Sequence, residues 1–157
     1  MIGPLKSPGN AGGLVGRHTL SCRKANQGGK AMPELFVGID VAKDTSSAQG
    51  IDSNGKGRFS LTFAMDSEGF MQLWKAITEH SKDLSEVSAA VESTACYHIN
   101  LYSFLTAKGI TTVVINPLLI ANFSKLSLRK AKTDRKDAMT IAQFLLVHLE
   151  TISQLFR

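Results

Sequence analysis

The feature that most constrains the fold is the run Leu35-Phe36-Val37-Gly38-Ile39, closed by Asp40. Five apolar or small residues in a row read as a strand buried on both faces. Such a strand has no reason of its own to carry an ionised group, because an unpaired charge inside a protein is costly. Asp40 becomes reasonable at the mouth of a sheet, where a cation can compensate it. Glu92 ends a second apolar run, Val87-Ser88-Ala89-Ala90-Val91. Asp134 and Asp137 follow within Lys132-Thr133-Asp134-Arg135-Lys136-Asp137-Ala138.

The 157 residues allow a sizeable core and one domain with an appendage. Charge is uneven. The chain has 18 Lys and Arg against 13 Asp and Glu, a net +5. Lys6, Arg17, Arg23, Lys24 and Lys30 all precede residue 32, where no acid occurs, so residues 32–157 balance to zero. The stretch 1–31 is rich in Gly, Ser and Asn without strand or helix period, and is expected to be a disordered basic leader. Met32 directly before the first strand suggests the true start of translation. Within the neutral remainder one basic cluster stands out: Lys125, Arg129, Lys130, Lys132, Arg135 and Lys136 lie beside two of the four acids. A basic run is often only a solvated face, but interleaving with site acids suggests a polyanion held over them.

Cys22 and Cys96 show no metal spacing or disulfide framework and suit free thiols of a cytoplasmic protein. No apolar run reaches the roughly 18–20 residues of a membrane span, and the glycine-rich stretch 11–16 is too short for a signal sequence.

Strands are expected at 35–41, 45–52, 58–63, 86–92 and 111–115. Asn54-Gly55 marks a hairpin between the second and third. Ser67 offers an N-cap for a helix to about His80, with Phe70, Leu73, Trp74 and Ile77 on one face. At that spacing Trp74 reads as core rather than as a base-stacking platform. A helix from Tyr97 to Lys108, with Tyr102 and Leu105 among its core positions, should end at Gly109. A helix at 117–126, a basic loop and a last helix capped by Thr133, running through Ile141, Leu145 and Leu149, complete the chain. The order β-β-β-α-β-α-β-α gives a meander followed by helical crossovers. The fold class is therefore α/β, a ribonuclease-H-like mixed five-stranded sheet with helices on its faces.

In that frame Asp40 and Glu92 end neighbouring strands, and Asp134 and Asp137 share a helix face. Four converging carboxylates require neutralisation, and oxygen-only donors suit Mg²⁺ or Mn²⁺. Two such ions about 4 Å apart would clamp the attacking and leaving oxygens of a phosphoryl displacement. Singly, each acid has a plainer reading: Asp134 could complement a helix dipole, Asp137 pair with a lysine, Glu92 face solvent. His98 reads as a partly buried polar residue, and Asp44 as turn chemistry.

Four stretches, Val37 to Lys43, Val91 to Thr94, Val114 to Pro117 and Lys132 to Ala138, resemble the N-terminal, RuvC-type domain of the DEDD transposases of bacterial insertion sequences, the IS110 family. The Lys-Thr-Asp-x-x-Asp-Ala block is the most specific, and the similarity runs from about residue 35 to the end. The resemblance implies Asp40, Glu92, Asp134 and Asp137 as catalytic, metal-binding acids, with DNA as substrate. It further implies an element-encoded guide RNA, assembly as a multimer, and a second domain carrying a nucleophilic serine, which this sequence does not contain. The chain is thus expected to be a truncated transposase domain. Alternatives are an inactive nucleic-acid-binding relic of the same fold and a stand-alone RuvC-like junction nuclease. The actin-like and sugar-kinase ATPases can also open on Gly-Ile-Asp, but this chain lacks their glycine-rich phosphate turns. Ala95 stands where the family often has glycine.

Overall fold

The computed structural model describes residues 32–126 and 135–155. The expectations for the leader at 1–31, for the Thr133 cap and for Asp134 rest on residues outside this set.

Strand β1 (Leu35–Asp40) lies at the centre of the sheet, with β2 (Thr45–Asp52) and β3 (Gly57–Ala64) to one side and β4 (Val87–Glu92) and β5 (Thr111–Ile115) to the other. The order is β3-β2-β1-β4-β5. β1, β2 and β3 pair antiparallel, as tight turns require, whereas β4 joins β1 and β5 joins β4 in parallel. This is the ribonuclease-H-like mixed sheet expected from the element order. At the β2–β3 hairpin the Asp52 carboxylate accepts from the amides of Asn54 and Lys56, at 2.9 and 3.0 Å, and Gly55 takes the positive φ of 80° that the turn demands.

Helices α1 (Ser67–His80) and α2 (His98–Ala107) cover one face of the sheet. That face takes the odd residues of β1, Leu35, Val37 and Ile39, with Val87, Ala89 and Val91 of β4. Leu73 and Ile77 of α1 and Leu101 and Leu105 of α2 close over them. Trp74 packs half-buried against this core, with the Lys108 ammonium 5.1 Å from its ring centre. Helices α3 (Pro117–Leu126) and α4 (Arg135–Leu155) cover the other face. There Phe36, Ile51, Ala90, Val113 and Ile115 meet Ile120, Ile141, Ala142, Leu145 and Leu149.

Two local assignments differ from expectation. The N-cap of α1 is Asp66, whose carboxylate accepts from the Gly69 amide at 2.8 Å, so Ser67 is the first helical residue. In α2, Tyr102 is exposed, while Leu101 and Leu105, four apart, face the sheet. The chain leaves α2 through Gly109, whose φ of 85° suits the residue after a helix end.

Candidate active site

Residues alternate in direction along a strand, so the even positions of β1 face α3 and α4. Phe36 enters the apolar core on that side. Gly38 follows, and Asp40 ends the strand, half-buried. On β4 the same face carries Ala90 and then Glu92 at the strand end, also half-buried. Because β1 and β4 are parallel neighbours, with Ile39 opposite Val91, both carboxylates emerge at the same end of the sheet. Ligand sites of open α/β sheets form at this carboxyl end of parallel strands.

Asp137 arrives from above the sheet. It lies exposed in the first turn of α4, one residue before Ala138, which is buried against β1. The approach is close. A β-carbon at Gly38 would overlap the Ala138 carbonyl oxygen and the Ala142 amide nitrogen, and would stand 2.9 Å from the Ala142 Cα. Backbone of helix and strand touch here because neither Gly38 nor the two alanines interposes a side chain of any length.

The electrostatics agree with this placement. Glu92 is pushed above the ordinary glutamate range, first by burial, then by the negative charges of Asp40 and Asp137. A hydrogen bond from the Thr94 hydroxyl opposes the rise. Three of the four predicted acids thus stand near enough for their charges to be felt at one carboxyl group. Asp134 is outside the described residues. Among those described, no three His, Cys, Asp or Glu side chains are close enough together to clasp an ion. Like charges gain nothing by closer approach until a cation stands between them. The donor chemistry, carboxylate oxygen without sulfur or imidazole, is that of a Mg²⁺ or Mn²⁺ site.

The loop after Glu92 is tightly specified. The Ser93 amide donates to the Ile115 carbonyl at 2.9 Å, tying the end of β4 to β5. Ala95 adopts φ 49°, the left-handed region that a side chain disfavours. His98 begins α2 half-buried, its Nδ1 without a hydrogen-bond partner. Cys96 is a free, exposed thiol. Of the basic cluster, Lys125 is exposed in the last turn of α3. Arg129, Lys130 and Lys132 fall outside the described residues, as do the side chains of Arg135 and Lys136 at the start of α4.

Two contributors escaped the sequence reading. Thr94 sits inside a recognised block, yet its contact with Glu92 depends on the path of the loop. Gly38 carries no signal of its own in the sequence, and only the arrival of α4, a hundred residues later, gives it meaning.

No helix among the described residues is long and apolar enough to cross a membrane. In fold, ethanolamine utilization protein EutJ from Carboxydothermus hydrogenoformans aligns over 64% of this chain and 43% of its own. Its TM-score of 0.40 at 14% identity is too slight to carry an argument. In sequence, the pilin gene-inverting proteins of Moraxella bovis and Moraxella lacunata are 30% and 29% identical over 113 residues, 72% of this chain. The chain spans about a third of their length, 34% in each case. A sequence model of the DEDD transposases of IS110 type matches residues 37–157, which include both strand-end acids and the whole of α4, and the chain therefore belongs to that transposase family.

Proposed function

We propose that residues 32–157 are the metal-dependent catalytic domain of a DNA transposase or recombinase, with Asp40, Glu92, Asp134 and Asp137 as its metal-binding acids. The observation that carries this reading is geometric: the parallel register of β1 and β4 brings Asp40 and Glu92 out at one end of the sheet, and the first turn of α4, seated on β1 at Gly38, carries Asp137. When bound, divalent ions at such a site neutralise charge on the attacking and leaving oxygens of an in-line phosphoryl displacement. The chain's own residues do the rest. Asp40 and Glu92 hold fixed positions because each ends a buried strand. The Thr94 side chain favours the charged form of the Glu92 carboxyl. Asp137 brings the helix side of the site, and Asp134, three residues earlier in sequence, is proposed as the fourth acid.

Lys125, Arg129, Lys130, Lys132, Arg135 and Lys136 are assigned to the phosphate backbone of DNA. Contacts of that kind position a duplex without reading its sequence. The name of the Moraxella relatives, pilin gene-inverting protein, favours recombination between DNA sites as the biological task. A guide RNA, a multimeric assembly and a cytoplasmic, nucleoid-associated location belong to the same proposal.

A second reading is a nucleic-acid-binding module without chemistry, favoured by the cations between Lys125 and Lys136, which would hold a polyanion without any metal. DNA affinity of the full chain with Mn²⁺, with Ca²⁺ and with EDTA separates the two. The catalytic reading predicts that divalent ions strengthen binding in the wild type and not in Asp40→Asn. Equal affinity in EDTA and Mn²⁺ for both proteins would favour the binding module.

A further inference from the structure

We propose that Gly38 is a positioning residue: its missing side chain lets the first turn of α4 seat on β1 and so sets Asp137 beside Asp40 and Glu92. The inference rests on the carboxylate site proposed above and deepens it.

Gly38 shares its sheet face with Phe36 on one side and Asp40 on the other. It lies where the apolar core of that face gives way to carboxylates. The helix meets it with Ala138 and Ala142, four residues apart on one helix face and 2% and 0% exposed. Further along, α4 presents Ile141, Leu145 and Leu149 to the same core. The smallest residues of both elements therefore coincide at the end of the helix that carries Asp137.

A methyl group at Gly38 would meet helix backbone, the Ala138 carbonyl and the Ala142 amide, rather than the movable tip of a side chain. Backbone cannot swing aside, so the first turn of α4 must lift. A single peptide bond separates Ala138 from Asp137, so the carboxylate moves with it. Asp40 and Glu92 end strands of the sheet itself and stay in place. Lengthening Gly38 thus separates the helix acid from the strand acids while the sheet pairing is kept.

Tight packing that serves stability alone is the competing explanation, and Gly50 supplies the control. A β-carbon there would overlap the ring of Phe59, on the face covered by α1. The crowding there is against a side-chain ring rather than backbone, and no site acid lies on that face.

The test is Mn²⁺ affinity by titration calorimetry on the full chain, with metal-free urea unfolding measured in parallel. The variants are Gly38→Ala, Asp137→Asn, the pair combined, and Gly50→Ala. If Gly38 acts through Asp137, Gly38→Ala and Asp137→Asn each weaken Mn²⁺ binding about tenfold or more. The double variant then loses no more than the worse single one, the signature of two changes acting on one interaction. Gly50→Ala loses stability and keeps its affinity. Should Gly38→Ala fail to fold, Ala142→Ser intrudes on the same seam by one atom and must weaken binding in the same direction, by less. Wild-type affinity in a folded Gly38→Ala, or losses that simply add, would overturn the inference and leave the metal site standing. No Mn²⁺ binding by the wild type would instead overturn the carboxylate-site reading, and this inference with it.

Discussion

The two faces of the sheet are built from alternate residues of the same strands, yet they end differently. Towards α1 and α2, β1 contributes Leu35, Val37 and Ile39, and the apolar series runs on through Val41 beyond the strand end. Towards α4 the series is Phe36, Gly38, Asp40 on β1 and Ala90, Glu92 on β4, with carboxylates as the last members. One residue of offset separates a closed core from an acidic mouth. A burial pattern with period two can therefore assign stability to one face and chemistry to the end of the other without either interrupting the strands.

The largest effect that sharpens this contrast comes from the closed face. Leu73 is fully buried between α1 and the sheet, and Leu73→Ala should cost about 2–5 kcal/mol of stability. Urea unfolding measures that loss, and Mn²⁺ affinity of the folded fraction should not change. A parallel loss of affinity would mean that the faces are not independent.

On the acidic side the balance reverses. Asp40→Asn should abolish tight Mn²⁺ binding while metal-free stability stays level or rises by about 1 kcal/mol, since it relieves repulsion at Glu92. Collapse of the metal-free fold would make Asp40 a structural residue.

The raised pKa of Glu92 adds a pH signature. Burial and the neighbouring acids favour its protonated form in the folded chain. The folded state then binds a proton more tightly than the unfolded state does, and this contribution to stability is complete below the ordinary glutamate pKa. It is lost as pH rises through the raised folded value. Metal-free stability should therefore decline across that interval, and Mn²⁺ affinity should climb across it as the proton leaves. Glu92→Gln should flatten the first slope. An unchanged slope would assign the effect to another group.

The smallest effect lies in the loop joining β4 to α2. Ala95 holds a positive φ, so Ala95→Gly should stabilise the chain by about 0.5–1 kcal/mol in the same urea assay. A loss of stability would show that the Ala95 methyl makes a contact worth more than the backbone strain.

The five strands were legible because two periods, alternation in β3 and continuous burial in β1 and β4, are punctuated by Asn-Gly and Asn-Pro. The neighbouring of β1 and β4, and with it the meeting of Asp40 and Glu92, followed from the crossover order. What was not legible depends on competition between similar neighbours. Asp66 and Ser67 are both good caps, and only the reach of the Asp66 carboxylate to the Gly69 amide decides between them. Helix α2 carries apolar residues around most of its circumference, Ile99, Leu101, Tyr102, Phe104 and Leu105, so its inward face was underdetermined and Tyr102 was misplaced. Gly38 and Thr94 escaped because their roles are contacts with partners fixed only by the tertiary fold.

The central claim is that the acids at the end of the α4 face make one divalent-ion site. Paramagnetic broadening of backbone amide resonances by substoichiometric Mn²⁺, recorded on the full chain and on Asp40→Asn, tests it most directly. The account predicts broadening centred on residues near 40, 92 and 137, fading along β1 and β4 towards Leu35 and Val87, and lost in the variant. Broadening centred elsewhere, or the same broadening in Asp40→Asn, would contradict it.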